Sequence, residues 1–171
     1  MEPRHAHLTA SLADIIETGR LRLHFSGIVQ GVGFRPFLYR AAEKFKLKGF
    51  VRNTSAGVIL EVEGGRLPEF VRYITRHAPP LSRIETLRLQ EIPVRRSREF
   101  VILESDALGQ KNVLVSPDIA ICAACRKEMD DPGNRRYQYP FTNCTDCGPR
   151  FTIIEDLPYD RPNTTMAGFE L

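Results

Sequence analysis

The chain has 171 residues, of which 42% are hydrophobic and 26% charged, and its formal net charge is +3. This composition is typical of a globular protein with one ordinary domain, or one small domain and a smaller module. No run of residues approaches the ~20 apolar positions of a transmembrane helix, and the mild charge lacks the basic stripe of a nucleic-acid-binding surface. Asp14 and Glu17 interrupt the apolar stretch near the N-terminus. We therefore expect a flexible arm over residues 1–20, no signal peptide and a cytoplasmic location.

Residues 21–105 carry strand and helix patterns in regular alternation. Period-two alternation or short apolar runs predict five strands, and 3.6-residue periodicity predicts two helices. The strands are expected at residues 21–28, 49–53, 58–63, 84–92 (with a bulge) and 100–103, and the helices at 34–45 and 68–77. This order predicts an α+β, ferredoxin-like βαββαβ sandwich with an antiparallel sheet, two helices on one face and a partly open opposite face.

The segment SGIVQGVGFR, residues 26–35, joins the first strand to the first helix and contains three glycines. Such a loop lets several backbone N–H groups point together, and the helix N-terminus adds partial positive charge. Arg35 supplies a planar guanidinium that can form bidentate hydrogen bonds with a phosphate. The pattern therefore indicates an anion site, but neither a Walker A loop nor a dinucleotide fingerprint. The glycines alone are equally compatible with a tight turn and a solvated Arg35.

Four cysteines form two CxxC pairs, Cys122 with Cys125 and Cys144 with Cys147, separated by residues 126–143. Two such pairs supply four thiolates for tetrahedral zinc, and a full set of four protein ligands is typical of a structural site. A redox role would need a thioredoxin-like βαβ unit, and disulfides would need an oxidising compartment. We expect a polar linker at residues 106–115 and a four-cysteine zinc module at 116–171. Its aromatic residues, Tyr137, Tyr139 and Phe141, are predicted to form a small core rather than a nucleic-acid surface.

Two motifs in the first domain resemble those of the acylphosphatase family. They are G-x-V-Q-G-V-G-F-R at residues 27–35 and G-x-V-x-N-x-x-x-G at residues 49–57. The resemblance implies metal-independent hydrolysis of carboxyl-phosphate anhydrides, with Arg35 and Asn53 as catalytic residues. It implies that Arg35 holds the phosphate and that Asn53 positions the attacking water. It also implies phosphate contacts from the rest of the loop, namely Gln30, Gly31, Val32, Gly33 and Phe34. No histidine is required, and His24 on the first strand is predicted to be a structural or half-exposed residue.

Residues 116–166 resemble the finger region of the HypF family of [NiFe] hydrogenase maturation carbamoyltransferases. The stretches SPDIA (116–120), PFTNC (140–144), CGPRF (147–151) and YDRP (159–162) carry this likeness. It implies carbamoyl phosphate as substrate, carbamate and phosphate as products, and a HypE-type partner that receives the carbamoyl group in the full-length protein. Family members continue into further domains, so we expect this chain to be an N-terminal portion. Two alternatives stay open, a general acylphosphatase with an accessory zinc module and a non-catalytic protein- or RNA-docking module.

Overall fold

The computed structural model describes residues 19–106, 118, 120–140, 142, 151–157 and 160–169. Seven elements occupy the first range, followed by a third helix. These elements are β1 (Arg20–Ile28), α1 (Phe34–Phe45), β2 (Lys48–Thr54), β3 (Gly57–Glu63), α2 (Leu67–Arg76), β4 (Arg83–Glu91), β5 (Phe100–Ile102) and α3 (Ala123–Asp130). Two short 3-10 helices, Phe151–Ile153 and Arg161–Asn163, lie further along the chain.

The strands form one five-stranded sheet in the order β4-β1-β3-β2-β5. The predicted α+β sandwich is confirmed, and so is the bulge in β4, where Ser26 pairs with Thr86 but Gly27 pairs with Ile84. One pairing departs from the antiparallel prediction, because β5 runs parallel to β2. The connection from β4 to β5 crosses the whole sheet, and the chain therefore returns at the opposite edge in the direction of β2.

The apolar core lies between the sheet and the two helices. Alternate residues of β1, among them Leu21, Leu23 and Phe25, point to this side and are fully buried. Residues spaced three and four apart on each helix meet them, because that spacing forms one helix face. The rings of Phe25 and Phe34 are in edge contact, with centroids 5.1 Å apart. The core thus fixes the start of α1 against the end of β1, where the glycine loop lies.

The opposite face of the sheet is less open than the sequence pattern predicted. Arg20 on β1 and Glu61 on β3 face away from the helices, yet each is only 2% exposed. The segment at residues 92–99 crosses this face, with the backbone N–H of Arg95 donating to Glu63 Oε2 at 2.9 Å. At the far edge the carbonyl of Glu99 accepts from the N–H of Gly49. This crossing strap, which strand periodicity cannot predict, covers a cluster of charges.

Beyond residue 106 the structure adds one helix that the sequence did not predict and corrects one interpretation. Helix α3 starts directly after Cys122, which is its N-cap. Tyr137 is 43% exposed. The prediction that this residue belongs to a small core is therefore wrong. Among the described residues no helix is long and apolar enough to cross a membrane.

Candidate active site and finger region

The glycine loop turns the chain from β1 into α1 at a residue with a left-handed backbone. Gly33 is the N-cap of α1 and has φ 71°, a conformation that glycine adopts without the steric cost of a side chain. The helical hydrogen bonds begin at Phe37, whose N–H donates to the carbonyl of Gly33 at 3.0 Å. The backbone N–H groups of the first turn thus lie at the end of the helix that favours an anion.

The side chains of the predicted phosphate loop are mostly used for anchoring. Val32 and Phe34 are buried in the core. The side-chain amide of Gln30 donates to the carbonyls of Thr54 at 2.7 Å and Gly57 at 2.8 Å. This amide therefore binds the loop to the β2–β3 turn. Any contact between these three loop residues and a phosphate would come from their backbone N–H groups.

Asn53 lies near the end of β2, directly before the turn that Gln30 holds. It is 1% exposed, and its carbonyl accepts from the N–H of Asp106 at 2.9 Å. The turn packs closely against β1, because a Cβ at Gly57 (φ +140°) would lie only 1.9 Å from the carbonyl oxygen of Phe25. Glycine at position 57 is thus a steric requirement, and it fixes Asn53 relative to the glycine loop.

Arg35 projects from the first turn of α1 and contacts two residues far along the chain. Its Nη1 lies 3.4 Å from Ser105 Oγ, and its Nη2 donates to Asp160 Oδ1 at 2.7 Å. The pair is partly buried, since 21% of the Arg35 side chain and 27% of the Asp160 side chain are exposed. The guanidinium is therefore held in a defined orientation, and part of the Arg35 side chain stays exposed.

One short segment contacts both predicted catalytic residues and so places them at the same end of the sheet. After β5 the chain continues alongside β2, with the N–H of Leu103 donating to Val51 and that of Asp106 to Asn53. Ser105, between them, faces Arg35. Sequence reasoning missed Ser105, Asp106 and Asp160, because no local pattern signals contacts across 70, 53 (from Asn53 to Asp106) and 125 residues, respectively.

His24 lies in the middle of β1, and its structural role stays a prediction. It sits on β1 between Ile59 of β3 and Arg88 of β4. Burial lowers the pKa of His24, and the nearby positive charge of Arg88 lowers it further. The neutral imidazole is thus favoured near pH 7, which suits a structural role.

The first cysteine pair adopts an arrangement that fits a metal site. Cys122 is the N-cap of α3, and its Sγ accepts from the N–H of Cys125 at 3.5 Å. Cys125 is 2% exposed. A thiol at a helix N-terminus with an N–H donor is stabilised as the thiolate that zinc requires. Cys144 and Cys147 lie outside the described residues, among which no group of three or more potential ligands is present. The four-cysteine site therefore stays a prediction.

Two protein families match the chain. Acylphosphatase matches residues 21–102, and the HypF finger matches residues 121–154. The acylphosphatase of Chlorobaculum tepidum is 42% identical over 88 residues, which are 49% of this chain and 95% of that protein. Residues 21–102 are thus an enzyme domain of the acylphosphatase type.

Longer matches cover both the acylphosphatase domain and the finger region. The carbamoyltransferase HypF of Rhizobium leguminosarum bv. viciae is 49% identical over 162 residues, 94% of this chain and 21% of that protein. A crystal structure of full-length HypF in the phosphate- and nucleotide-bound form superimposes with a TM-score of 0.80 at 46% identity, covering 88% of this chain and 20% of that one. The chain belongs to the HypF family, and it spans about a fifth of the length of these relatives.

Proposed function

We propose that this chain hydrolyses carbamoyl phosphate to carbamate and phosphate as part of a HypF-type carbamoyltransferase for [NiFe] hydrogenase maturation. The observation that carries the proposal is the joint placement of Arg35 and Asn53. Both contact the segment at residues 105–106, and Arg35 lies in the first turn of α1, whose N-terminus is suited to an anion. The HypF matches over nearly the whole chain favour carbamoyl phosphate over other acyl phosphates.

In the proposed mechanism the N–H groups of the loop and the guanidinium of Arg35 bind the phosphoryl oxygens. Positive charge and oriented donors then stabilise the negative charge that spreads over these oxygens in the transition state. The carboxylate side of a mixed anhydride is a good leaving group, so positioning contributes more than proton transfer. These roles need only groups that the chain itself supplies at this end of the sheet.

Asn53 is proposed to hold the attacking water through its side-chain amide, which can accept and donate hydrogen bonds. The water oxygen forms a bond to phosphorus while the bond from phosphorus to the carbamoyl oxygen breaks. The products are carbamate and dihydrogen phosphate, so atoms and charge balance. The almost complete burial of Asn53 supports this role, because a fixed amide keeps a bound water in one orientation.

Residues 116–171 are proposed to bind one structural zinc ion through Cys122, Cys125, Cys144 and Cys147. The thiolate-stabilising contact at the first pair supports this ligand set. Bound zinc would supply folding free energy to this module, in whose described residues few apolar side chains are buried. In the full-length protein we propose that the carbamoyl group passes to a HypE-type partner, and that nucleic acid and membrane have no part.

The experiment is phosphate release from carbamoyl, acetyl and benzoyl phosphate by the 171-residue chain, compared with Arg35→Ala. Loss of one preorganised donor to the reacting group is expected to lower kcat/KM by about 10²- to 10³-fold. Arg72→Ala, which replaces an exposed arginine of α2, serves as the matched control and should retain activity. Undiminished release by Arg35→Ala would overturn the assignment.

A general acylphosphatase is the second candidate, supported by the Chlorobaculum tepidum match, which involves only about half of this chain. The same assay separates the two functions. A preference for carbamoyl phosphate supports the HypF-type reaction, and equal kcat/KM on all three substrates supports the general enzyme.

A further inference from the structure

The carboxylate of Asp160 contacts Arg35 of the proposed phosphate site and comes from outside the acylphosphatase domain. Its Oδ1 accepts from Arg35 Nη2 at 2.7 Å. The acylphosphatase match ends at residue 102 and the finger match at residue 154. Asp160 thus belongs to neither match, and it adds a negative charge that residues 21–102 do not provide.

The backbone around Asp160 holds this residue in place. The N–H of Asn163 donates to the carbonyl of Asp160 at 2.9 Å. Thr164, which is 1% exposed, bridges to Ile154 on a neighbouring stretch. Asp160 is also the N-cap of the 3-10 helix Arg161–Asn163, but among the described contacts its side chain makes no capping hydrogen bond. An N-cap aspartate usually caps its own helix, whereas this one points to Arg35.

A carboxylate beside a phosphate site opposes phosphate binding, because like charges repel across a short distance. Arg35 can still bind phosphate, since a guanidinium has five N–H donors and the ion pair with Asp160 is made through Nη2. The repulsion acts on every acyl phosphate alike. It is offset only by a substrate that donates a hydrogen bond to the carboxylate.

The acyl group decides whether such a hydrogen bond forms. Carbamoyl phosphate carries an amino group with two N–H donors next to the carbonyl carbon. Acetyl phosphate carries a methyl group there and benzoyl phosphate a phenyl ring, and neither donates. A site that hydrogen-bonds a substrate N–H discriminates strongly against analogues without it, because its polar group is left without a partner.

We propose that Asp160 is the residue that selects carbamoyl phosphate over other acyl phosphates, by accepting a hydrogen bond from the carbamoyl amino group. The inference rests on the proposed function, in that it requires the substrate phosphate to bind at Arg35. It assigns the difference between this chain and a general acylphosphatase to one carboxylate from the segment after the finger.

The test compares kcat/KM for carbamoyl and acetyl phosphate in the full chain, Asp160→Ala and Asp160→Asn. A hydrogen bond to a charged group corresponds to a factor of about 10 to 100, so Asp160→Ala should lower the carbamoyl-to-acetyl ratio by that factor. Activity on acetyl phosphate should hold or rise, and inorganic phosphate should inhibit more strongly. Asp160→Asn keeps a neutral acceptor, so its carbamoyl-to-acetyl ratio should lie between those of the unmodified chain and Asp160→Ala. Glu155→Gln, which neutralises an exposed carboxylate in the same segment, is the matched control.

Each other outcome overturns the inference. An equal rise in activity on both substrates would make Asp160 only a competitor for Arg35, and an equal fall would make it only a support for Arg35. An unchanged ratio with unchanged phosphate inhibition would place Asp160 outside the site. Failure of the proposed function is distinguishable, because then Arg35→Ala would keep its activity or the unmodified chain would release no phosphate from either substrate.

Discussion

Replacing Glu61 by Gln should destabilise the first domain by about 3 kcal/mol at pH 7, because it leaves the buried guanidinium of Arg20 without its main counter-charge. Both side chains are 2% exposed. Breaking a buried pair from one side costs about 3–5 kcal/mol. The lower end applies here, since Glu63 Oε2 still accepts from Arg20 Nη1 at 3.0 Å. Arg22, which is 43% exposed, contributes at most about 1 kcal/mol.

The pH dependence gives this prediction a second readout. Burial alone would raise the pKa of Glu61, but hydrogen bonds and charge from Arg20 and Arg22 outweigh it, and the net pKa is below the ordinary value of 4.5. A lowered pKa in the folded state contributes stability that is complete above pH 4.5 and is lost as pH falls through the folded pKa. Protonated Glu61 resembles Gln, so the difference between the two proteins should shrink in that acidic range.

The assay is equilibrium urea unfolding between about pH 3 and pH 7, together with the melting temperature. A loss of about 3 kcal/mol in a domain of this size lowers Tm by about 12 to 24 °C. Glu91→Gln, at an exposed position of β4, is the matched control and should change stability by less than about 0.5 kcal/mol. A cost below about 1 kcal/mol for Glu61→Gln would refute the reasoning, because the cluster would then behave like a surface ion pair.

Three further predictions concern separate parts of the chain. Asn53→Ala should lower kcat by about 10²-fold or more and leave inhibition by inorganic phosphate within about threefold, since the proposed task of Asn53 is water positioning. A parallel loss of kcat and of phosphate inhibition would contradict that role. His24→Gln should flatten the pH dependence of stability between the folded-state pKa and 6.5, because a lowered histidine pKa contributes stability that is complete above pH 6.5 and lost as pH falls. If urea titrations gave the same slope of unfolding free energy against pH for both proteins, this prediction would be wrong. A chelator should release one zinc ion per chain and abolish hydrogen-exchange protection in residues 116–171 while residues 21–105 stay protected; protection that survives metal loss would contradict the zinc module.

The sequence predicted the first domain well because its signals are local. The alternation in β1 and the 3.6-residue stripe of α1 depend on near neighbours, and both elements appear within one residue of their predicted bounds. The glycines at positions 33 and 57 likewise mark backbone conformations that act within one turn. These features placed the loop and Asn53 correctly at the ends of their elements.

The features that the sequence could not predict are contacts between segments that lie far apart along the chain. The burial of Glu61 requires the strap between β4 and β5, and an alternating charged residue on a strand otherwise indicates a solvated face. The partner of Arg35 at position 160 is separated from it by 125 residues. The short segment that contains Asp160 has no sequence periodicity that would predict its position beside the glycine loop.

The contact between Arg35 and Asp160 also couples the finger region to the proposed chemistry. Asp160 follows the second cysteine pair, so loss of zinc should release the carboxylate from the guanidinium together with the rest of the module. The chelated chain should then behave like Asp160→Ala, with a lower carbamoyl-to-acetyl ratio and stronger inhibition by phosphate. Adding a chelator to Asp160→Ala should change neither quantity further, because the carboxylate is already absent. A chelator effect of equal size in both proteins would show that zinc acts on the site by another route.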